Sequence, residues 1–332
     1  MGIRLVCKCG QKLRVENAHA GQRVVCPKCG QNLSVPSSPA SPATTPSFDP
    51  APAPDVQSPN PTTSPPHVYR GSEPRLTLQD LRDRGETTAG VVLALFAIPV
   101  WIVLAVLIVM SYGMWLIFIG IGVLVGLATR LFMLAHVKTH AVEVTATQFP
   151  EIDRAARLAC GRLGIEKPHI YVMQSSLWNA WAAKLAGRRI VVLLSGAIDS
   201  ILLKGDAKEL AWVVGHEIGH HAAGHFGIWR RLVAMGGWFP AVLLWYRRRG
   251  ELTCDNIGLY AAGLEASLKA MSNATVGAQL ASQLNTGQAI EQWEGHRREF
   301  FVRYRTLYSS HPPNLWRIKN LVETAKRLHI AP

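Results

Sequence analysis

Two histidines and a glutamate in the stretch His216-Glu217-Ile218-Gly219-His220 are the residues of this chain best suited to chemistry. On an α-helix, residues four apart lie on one face, so both imidazole rings could reach one metal ion. The carboxylate of Glu217 is displaced by about 100° around the helix axis and would face a water molecule on that ion. This spacing is typical of a hydrolytic zinc site, in which the metal lowers the pKa of the water and Glu217 acts as general base.

The residues around the motif favour a buried helix. Leu210, Val213, Val214 and Ile218 are apolar and recur at helical spacing. The alternative interpretation is a helix whose histidines pack in the core or face solvent and happen to be four apart. A third ligand separates the two interpretations, because a catalytic zinc ion needs three protein ligands.

Two patterns compete to supply that third ligand. The first requires a histidine six residues after His220, where the chain has Phe226, and His225 is one position out of register. The second takes a glutamate from a later helix, and Glu251 fits it, with Asp255 one turn further on. The spacing of four aims both carboxylates the same way, so Glu251 could bind zinc while Asp255 orients a ligand histidine. Taken alone, these two acids could also be ordinary residues of a helix surface.

Four stretches, in this order, resemble the M48 peptidases, which include the membrane-bound HtpX-like and CAAX-prenyl-processing metalloendopeptidases. The resemblance runs from about residue 140 to the C-terminus and implies a gluzincin-type metallopeptidase domain, mainly α with a small β-sheet. Trp181 and Cys254 stand where the family has Phe and Ala. The four stretches are Asn179-Ala180-Trp181-Ala182, His216–His220, Glu251–Asp255, and Ser310-His311-Pro312-Pro313 with Arg317.

The resemblance implies a role for each matched residue. Glu217 would be the general base, and the two histidines of the motif and Glu251 would be the zinc ligands. His311 would donate a hydrogen bond to the developing oxyanion or brace Asp255, unless it is an ordinary loop histidine. Residues 179–182 would form an edge segment that pairs with an extended peptide substrate through backbone hydrogen bonds.

Composition divides the 332-residue chain into four parts. Residues 1–35 form a small cysteine-rich module, and residues 36–86 form a linker rich in Pro, Ser and Thr, which we expect to be flexible. Residues 87–135 contain the uncharged stretch Thr87–Thr129 and are predicted to form two transmembrane helices. Residues 136–332 carry the motifs and are predicted to form the peptidase domain.

The uncharged stretch is long enough for two membrane crossings. As one helix it would extend about 64 Å, whereas a hydrocarbon core of about 30 Å needs about 20 residues. We place the spans at Ala89–Met110 and Gly113–Leu134, which form a helical hairpin. Arg84 and Arg130 belong to positive flanks, so the cysteine module and the peptidase domain should both face the cytosol. The expected location is the cell membrane, crossed more than once.

The segment Leu232–Tyr246 is a further apolar stretch, broken by Pro240 and bracketed by arginines. It is too short to span, and a crossing would separate Glu251 from the zinc histidines. It could dip into the membrane at the rim of the site, where the arginines would meet anionic headgroups. It could equally be a helix buried in the peptidase core.

Cys7 and Cys9 form one closely spaced pair, and Cys26 and Cys29 form a second. The pattern resembles a zinc ribbon, in which four thiolates hold a structural zinc ion, although the first pair is separated by one residue instead of two. A disulfide or free thiols are the alternatives, and a cytosolic location disfavours disulfides. About 35 residues cannot build a self-sufficient core, so the metal would stabilise this module.

The formal net charge of +13 has two competing explanations. The basic cysteine module could contact nucleic acid, but no aromatic residue is interleaved there for base stacking, so we expect no nucleic-acid partner. Much of the remaining excess lies beside the apolar segments and in the C-terminal region, which favours attraction to the lipid bilayer.

These observations predict a membrane-anchored zinc endopeptidase with one catalytic and one structural zinc ion. Its expected substrates are proteins or peptides, membrane proteins above all, and the resemblance implies membrane-protein quality control. No sequence feature specifies an oligomeric state. The alternative function is a membrane-tethered zinc-ribbon adaptor whose peptidase-like domain does not cleave. Helices are expected at Asn256–Ser282, 289–305 and 314–328.

Overall fold

The computed structural model describes residues 2–16, 19, 21–35, 76–177, 179–202 and 207–330. The chain divides into two units, Met1–Tyr69 and Arg70–Pro332. Most of the predicted linker, residues 36–75, lies outside the described residues.

The described residues of the first unit form two antiparallel β-hairpins. Strands β1 (Gly2–Val6) and β2 (Lys12–Glu16) pair in one, and β3 (Arg23–Val25) and β4 (Asn32–Ser34) pair in the other. Cys7 and Cys26 follow the first strand of each hairpin and are both buried. The interior of this small unit is therefore formed around sulfur atoms.

The second unit is mainly helical with a small sheet, as the sequence predicts. Its strands are β5 (Ala141–Glu143), β6 (His169–Met173), β7 (Ala180–Leu185) and β8 (Arg188–Leu194). Its helices are α1 (Leu78–Leu81), α2 (Arg84–Met110), α3 (Met114–His140), α4 (Pro150–Leu163), α5 (Ser195–Leu202), α6 (Ala207–Ala222), α7 (Ile228–Val233), α8 (Pro240–Ala262), α9 (Leu264–Val276), α10 (Thr286–His296), α11 (Phe300–Leu307) and α12 (Asn314–Leu328).

Helices α2 and α3 are each long and apolar enough to cross a membrane. Each has 27 residues, and their mean hydropathies reach 3.1 and 2.2 over the most apolar stretch. Both extend beyond the predicted spans, because α2 begins at Arg84 after the N-cap Asp83, and α3 continues to His140. Tyr112 lies in the turn between them and is fully exposed.

The sheet has the strand order β5-β6-β8-β7. Strands β6 and β8 are parallel, and the other two pairs are antiparallel. Strand β8 is buried on both faces, since Val191 and Leu193 join the main core while Ile190 and Val192 pack towards the end of α3. This two-sided burial explains its unbroken apolar sequence. Strand β7 pairs on one side only, so it is an edge strand of the described sheet.

Helix α6 passes through the middle of the main core, where Leu210, Val214 and Ile218 are fully buried. It packs against α4, α8 and α9. The helix expected at Asn256–Ser282 is instead the end of α8 followed by α9, separated by Gly263. The φ angle of Gly263 is 84°, a conformation that favours glycine and ends the helix. The helix expected at 289–305 is likewise divided into α10 and α11.

The ambiguous segment Leu232–Tyr246 packs against the apolar helix α2. It comprises the end of α7, a 3-10 turn at Ala234–Trp238 and the beginning of α8. The indole of Trp238 donates a hydrogen bond of 2.8 Å to the carbonyl of Phe96 in α2. One face of the segment is therefore buried against α2, while Trp238 itself stays mostly exposed.

Candidate metal centre

Two glycines allow the motif helix α6 to approach α8 closely. A Cβ atom on Gly215 would lie 2.9 Å from the Cβ atom of Ala261, and one on Gly219 would lie 3.2 Å from the Cα atom of Cys254. Both separations are shorter than an ordinary contact between carbon atoms, so larger residues would separate the helices. Since α6 carries the two histidines and α8 carries Glu251, this approach brings the three side chains together.

The three predicted ligands converge on one point. Nε2 of His216 lies 3.5 Å from Oε2 of Glu251, and Nε2 of His220 lies 3.7 Å from Oε1 of the same carboxylate. All three ligand atoms lie within 4.8 Å of one another. Ligand atoms at about 2.0 to 2.1 Å from a tetrahedral zinc ion are about 3.3 Å apart, so the side chains fit such an ion after a small adjustment.

Asp255 orients the first histidine. Its Oδ1 atom lies 2.9 Å from Nδ1 of His216 and accepts a hydrogen bond from the N–H group there, which leaves Nε2 facing Glu251. Arg317 of α12 holds this fully buried carboxylate with two hydrogen bonds of 2.6 and 2.8 Å. Burial alone would raise the pKa of Asp255, but the guanidinium outweighs it and lowers that pKa. No spacing pattern links Arg317 to Asp255, because 62 residues separate them.

The surrounding carboxylates favour positive charge at this point. Burial opposes charge on His216, yet its hydrogen bonds to Asp255 and Glu251 outweigh burial and raise its pKa to about 10. Burial and the neighbouring charge of His216 lower the pKa of His220 to about 3, although the Glu251 carboxylate lies 3.7 Å away. The donor set therefore combines acidic groups with a neutral imidazole, which suits a divalent cation.

Glu217 is buried beside the three ligands with one oxygen unused. Its Oε2 atom is buried and has no hydrogen-bond partner, although buried polar atoms are nearly always paired. Burial raises the pKa of Glu217 to about 7. A carboxylate with a pKa near neutrality and a free oxygen is suited to accept a proton from a water molecule.

A cavity of about 250 Å³ joins the motif to the predicted substrate segment. Strand β7 forms one wall of this cavity through Ala180, Trp181 and Ala182, with Asn179 just before it. Glu217 of α6 also lines this cavity. Because the strand lies at the edge of the sheet, its free backbone groups lie beside the candidate ligands.

His311 lies at the mouth of the same cavity. Its Nε2 atom is 3.9 Å from Oε2 of Glu251, its ring is mostly exposed, and its Nδ1 atom bonds to the hydroxyl of Ser310 at 3.0 Å. It makes no hydrogen bond to Asp255, which Arg317 braces instead. The geometry thus favours the first of its two implied roles, a donor towards substrate.

In the first unit, the four cysteines of the predicted ribbon form a second cluster. Their sulfur atoms lie within 4.8 Å of one another, with 3.5 Å between Cys7 and Cys29 and 3.8 Å between Cys9 and Cys26. These separations exceed a disulfide bond of about 2.05 Å. They are close to the roughly 3.8 Å between thiolates that bind one tetrahedral zinc ion at about 2.3 Å.

Comparison with known proteins agrees with this geometry. The family model described as Peptidase family M48 matches residues 146–236 and 226–325, together more than half of the chain. The chain is also 25% identical over 233 residues to the plastoglobule-localized metallopeptidase 48, chloroplastic, of Arabidopsis thaliana. That alignment covers 63% of this chain and 66% of the relative, slightly less than two thirds of its length. No solved structure matches the chain. The chain belongs to peptidase family M48.

Proposed function

We propose that this protein is a membrane-anchored zinc endopeptidase in which Glu217 is the general base. The observation that carries the proposal is the convergence of His216, His220 and Glu251 beside the buried, unpartnered oxygen of Glu217. M48 peptidases use zinc, and the two imidazoles and one carboxylate form a donor set that suits it. The same convergence would serve no purpose in an adaptor that does not cleave.

His216, His220 and Glu251 would hold the zinc ion. When bound, the ion supplies Lewis-acid chemistry, which lowers the pKa of water and polarises the peptide carbonyl. Asp255 and Arg317 keep the imidazole of His216 in the required tautomer. The protein thus provides a preorganised ligand set that needs little movement on metal binding.

Glu217 would remove the proton from the attacking water and pass it to the leaving amine. Its raised pKa allows both steps, because the carboxylate accepts a proton near neutral pH and releases it again. Its unpartnered Oε2 atom has no competing hydrogen bond to break first. The burial of Glu217 also strengthens its interaction with the reacting groups.

A peptide substrate would bind as an additional strand beside β7. The backbone groups of Ala180 to Ala182 would hydrogen-bond to it and place the scissile bond against Glu217. The exposed ring of His311 could then donate a hydrogen bond to the carbonyl oxygen as negative charge develops. Both roles depend on side chains or backbone groups that line one cavity.

Helices α2 and α3 would anchor the enzyme as a transmembrane hairpin. Their lengths of 27 residues exceed the roughly 20 that a bilayer requires, and most of their side chains are exposed apolar groups. The segment Leu232–Tyr246 would dip into the membrane beside α2 and α3. Trp238 and Phe239 support this proposal, since both are large, exposed and next to α2.

The cysteine module and peptidase domain would both face the cytosol, with the tip of the hairpin outside. A cleft at the membrane surface would suit the cleavage of membrane proteins near their cytosolic ends, and hence quality control. The cysteine module would be a zinc ribbon that docks proteins, because it lacks aromatic residues for stacking nucleic-acid bases.

The substitution Glu217→Gln tests the mechanism. The amide keeps the shape of the side chain but cannot accept the proton, so the variant should bind zinc and lose cleavage of casein in detergent or liposomes. Glu265→Gln is the control, because Glu265 is an exposed residue of α9 that pairs with Lys269 at 3.0 Å. Equal cleavage by Glu217→Gln and the parent protein would reject the mechanism. An inactive parent that still binds protein through the ribbon would favour the adaptor.

A further inference from the structure

The second zinc ligand has its own hydrogen-bonded support, which reaches the first apolar helix. Nδ1 of His220 lies 2.9 Å from Nδ1 of His225, and Nε2 of His225 lies 3.0 Å from Oε1 of Glu86. Glu86 is in the first turn of α2 and is only 1% exposed. A chain of three side chains thus connects the beginning of α2 to the candidate metal centre.

The chemistry of the groups shows which atom donates in each hydrogen bond between His220, His225 and Glu86. A carboxylate only accepts, so Nε2 of His225 donates to Glu86. A neutral His225 then has a lone pair on Nδ1, which accepts from the Nδ1–H group of His220. The proton of His220 is therefore on Nδ1, and its Nε2 atom has the free lone pair that faces Glu251.

The thiol of Cys254 agrees with this assignment. Its sulfur atom lies 3.6 Å from Nδ1 of His225, and a thiol is a weak hydrogen-bond donor. Both neighbours of that nitrogen, His220 and Cys254, can thus donate to it. His225 therefore has its proton on Nε2 and a lone pair on Nδ1, which is a single neutral tautomer.

The carboxylate of Glu86 is itself held in place from several sides. The hydroxyl of Thr253 donates to Oε2 at 2.5 Å, and the guanidinium groups of Arg230 and Arg82 lie 3.3 and 3.5 Å from Oε1. Thr253 belongs to α8, and Arg230 belongs to α7. Side chains of α7 and α8, together with Arg82 at the C-terminal end of α1, therefore hold Glu86 in place.

We propose that Glu86 is a positioning residue which orients the zinc ligand His220 through His225. It does for His220 what Asp255 does directly for His216. Metal binding then depends on the docking of α2 against α7 and α8, because α2 supplies Glu86, the last residue of the hydrogen-bonded relay His220–His225–Glu86. This inference rests on the proposed function, since it requires a metal ion at His216, His220 and Glu251.

The test measures metal affinity on the full chain in detergent. Co²⁺ replaces zinc, because its visible absorption reports ligand geometry and its sulfur charge-transfer bands identify metal bound by the cysteine cluster. Titration with a chelator then gives the affinity of the site without sulfur ligands. Glu86→Ala should weaken this site about 10- to 100-fold and shift its absorption bands. Glu86→Gln should keep most of the affinity, because its amide oxygen still accepts from His225.

Asp83→Ala is the matched control, since Asp83 is a second acidic residue at the same end of α2. It caps the helix and pairs with Arg249 at 3.3 Å, but it takes no part in the relay. The Asp83→Ala variant should have the same affinity for Co²⁺ as the parent protein. An equal loss in Asp83→Ala and Glu86→Ala would mean that both act through the stability of α2, which overturns the inference.

A double-mutant cycle separates a relay from two independent effects. His225→Ala should cause the same loss as Glu86→Ala, and the double variant should be no weaker than either single variant. Additive losses, or an unchanged affinity in Glu86→Ala, would overturn the inference. The proposed function fails instead if the parent protein binds Co²⁺ only through sulfur. It also fails if His220→Ala leaves the site without sulfur ligands intact.

Discussion

The close approach of α6 and α8 leads to a prediction for Gly219→Ala in which two effects oppose each other. Alanine is favoured over glycine in a helix by about 0.8 to 1 kcal/mol. Its Cβ atom, however, would lie 3.2 Å from the Cα atom of Cys254 and 3.3 Å from the Cβ atom of Ile257. Overpacking of this kind costs about 1 to 3 kcal/mol. We expect the variant to be less stable than the parent by up to about 2 kcal/mol.

The same displacement should also lower activity. A normal carbon–carbon contact of about 3.5 to 4.0 Å requires the helices to move apart by roughly 0.3 to 0.8 Å. Cys254 lies one turn from Glu251, so this movement withdraws the carboxylate from both histidines. A misplacement of about 1 Å can cost about 10²-fold in rate, so a shift of roughly 0.3 to 0.8 Å should cost roughly 4- to 40-fold in cleavage.

The assays are casein cleavage, zinc affinity by chelator competition, and urea unfolding. Gly161→Ala in α4 is the control, because a Cβ atom there would meet nothing within 4 Å. This control should gain up to about 1 kcal/mol of stability and keep the activity of the parent. Parent-like zinc affinity and cleavage in Gly219→Ala would refute the argument that helix spacing sets the ligand geometry.

Three further predictions concern other parts of the molecule. Arg317→Met leaves the buried carboxylate of Asp255 without its cation and should lower the free energy of unfolding by about 3 to 5 kcal/mol in urea titrations. The pKa of Asp255 is lower in the folded than in the unfolded protein, where it is about 3.9. The stabilisation by Arg317 should therefore be complete above about pH 3.9 and vanish as the pH falls through the pKa of Asp255 in the folded protein. A difference in unfolding free energy between parent and variant that shrinks near neutral pH would contradict this prediction. Cys29→Ser should remove one metal ion per chain by elemental analysis while casein cleavage continues, and an unchanged metal content would exclude the structural zinc. A cysteine in place of Tyr112 should react from outside the cell with a reagent that cannot cross the membrane, and protection there would contradict the proposed topology.

The convergence of His216, His220 and Glu251 could be anticipated because its components are local. Residues four apart share a helix face, and Glu251 and Asp255 follow the same rule on a second helix. The apolar runs of β6 and β8 are also visible in sequence, since burial on both faces requires it. Local sequence patterns are therefore sufficient to locate the motif and these two strands.

The groups that support the ligands could not be anticipated in the same way. Arg317 lies 62 residues from Asp255, and Glu86 lies 139 residues from His225. Contacts of this kind depend on the final packing of several helices and correspond to no regular spacing of residues in the sequence. The break at Gly263 is a related case, because a single glycine is tolerated in many helices and only its positive φ angle reveals the boundary here.

Strand β7 has a consequence for the choice of substrate. It has six residues, so a partner paired along its whole length must offer about 20 Å of extended chain. In a folded protein, most backbone amides are already engaged in the protein's own helices and sheets. Pairing through backbone groups also gives little information about side chains. Such an enzyme would select its targets by their local lack of structure more than by their sequence, and correctly folded neighbours would be spared.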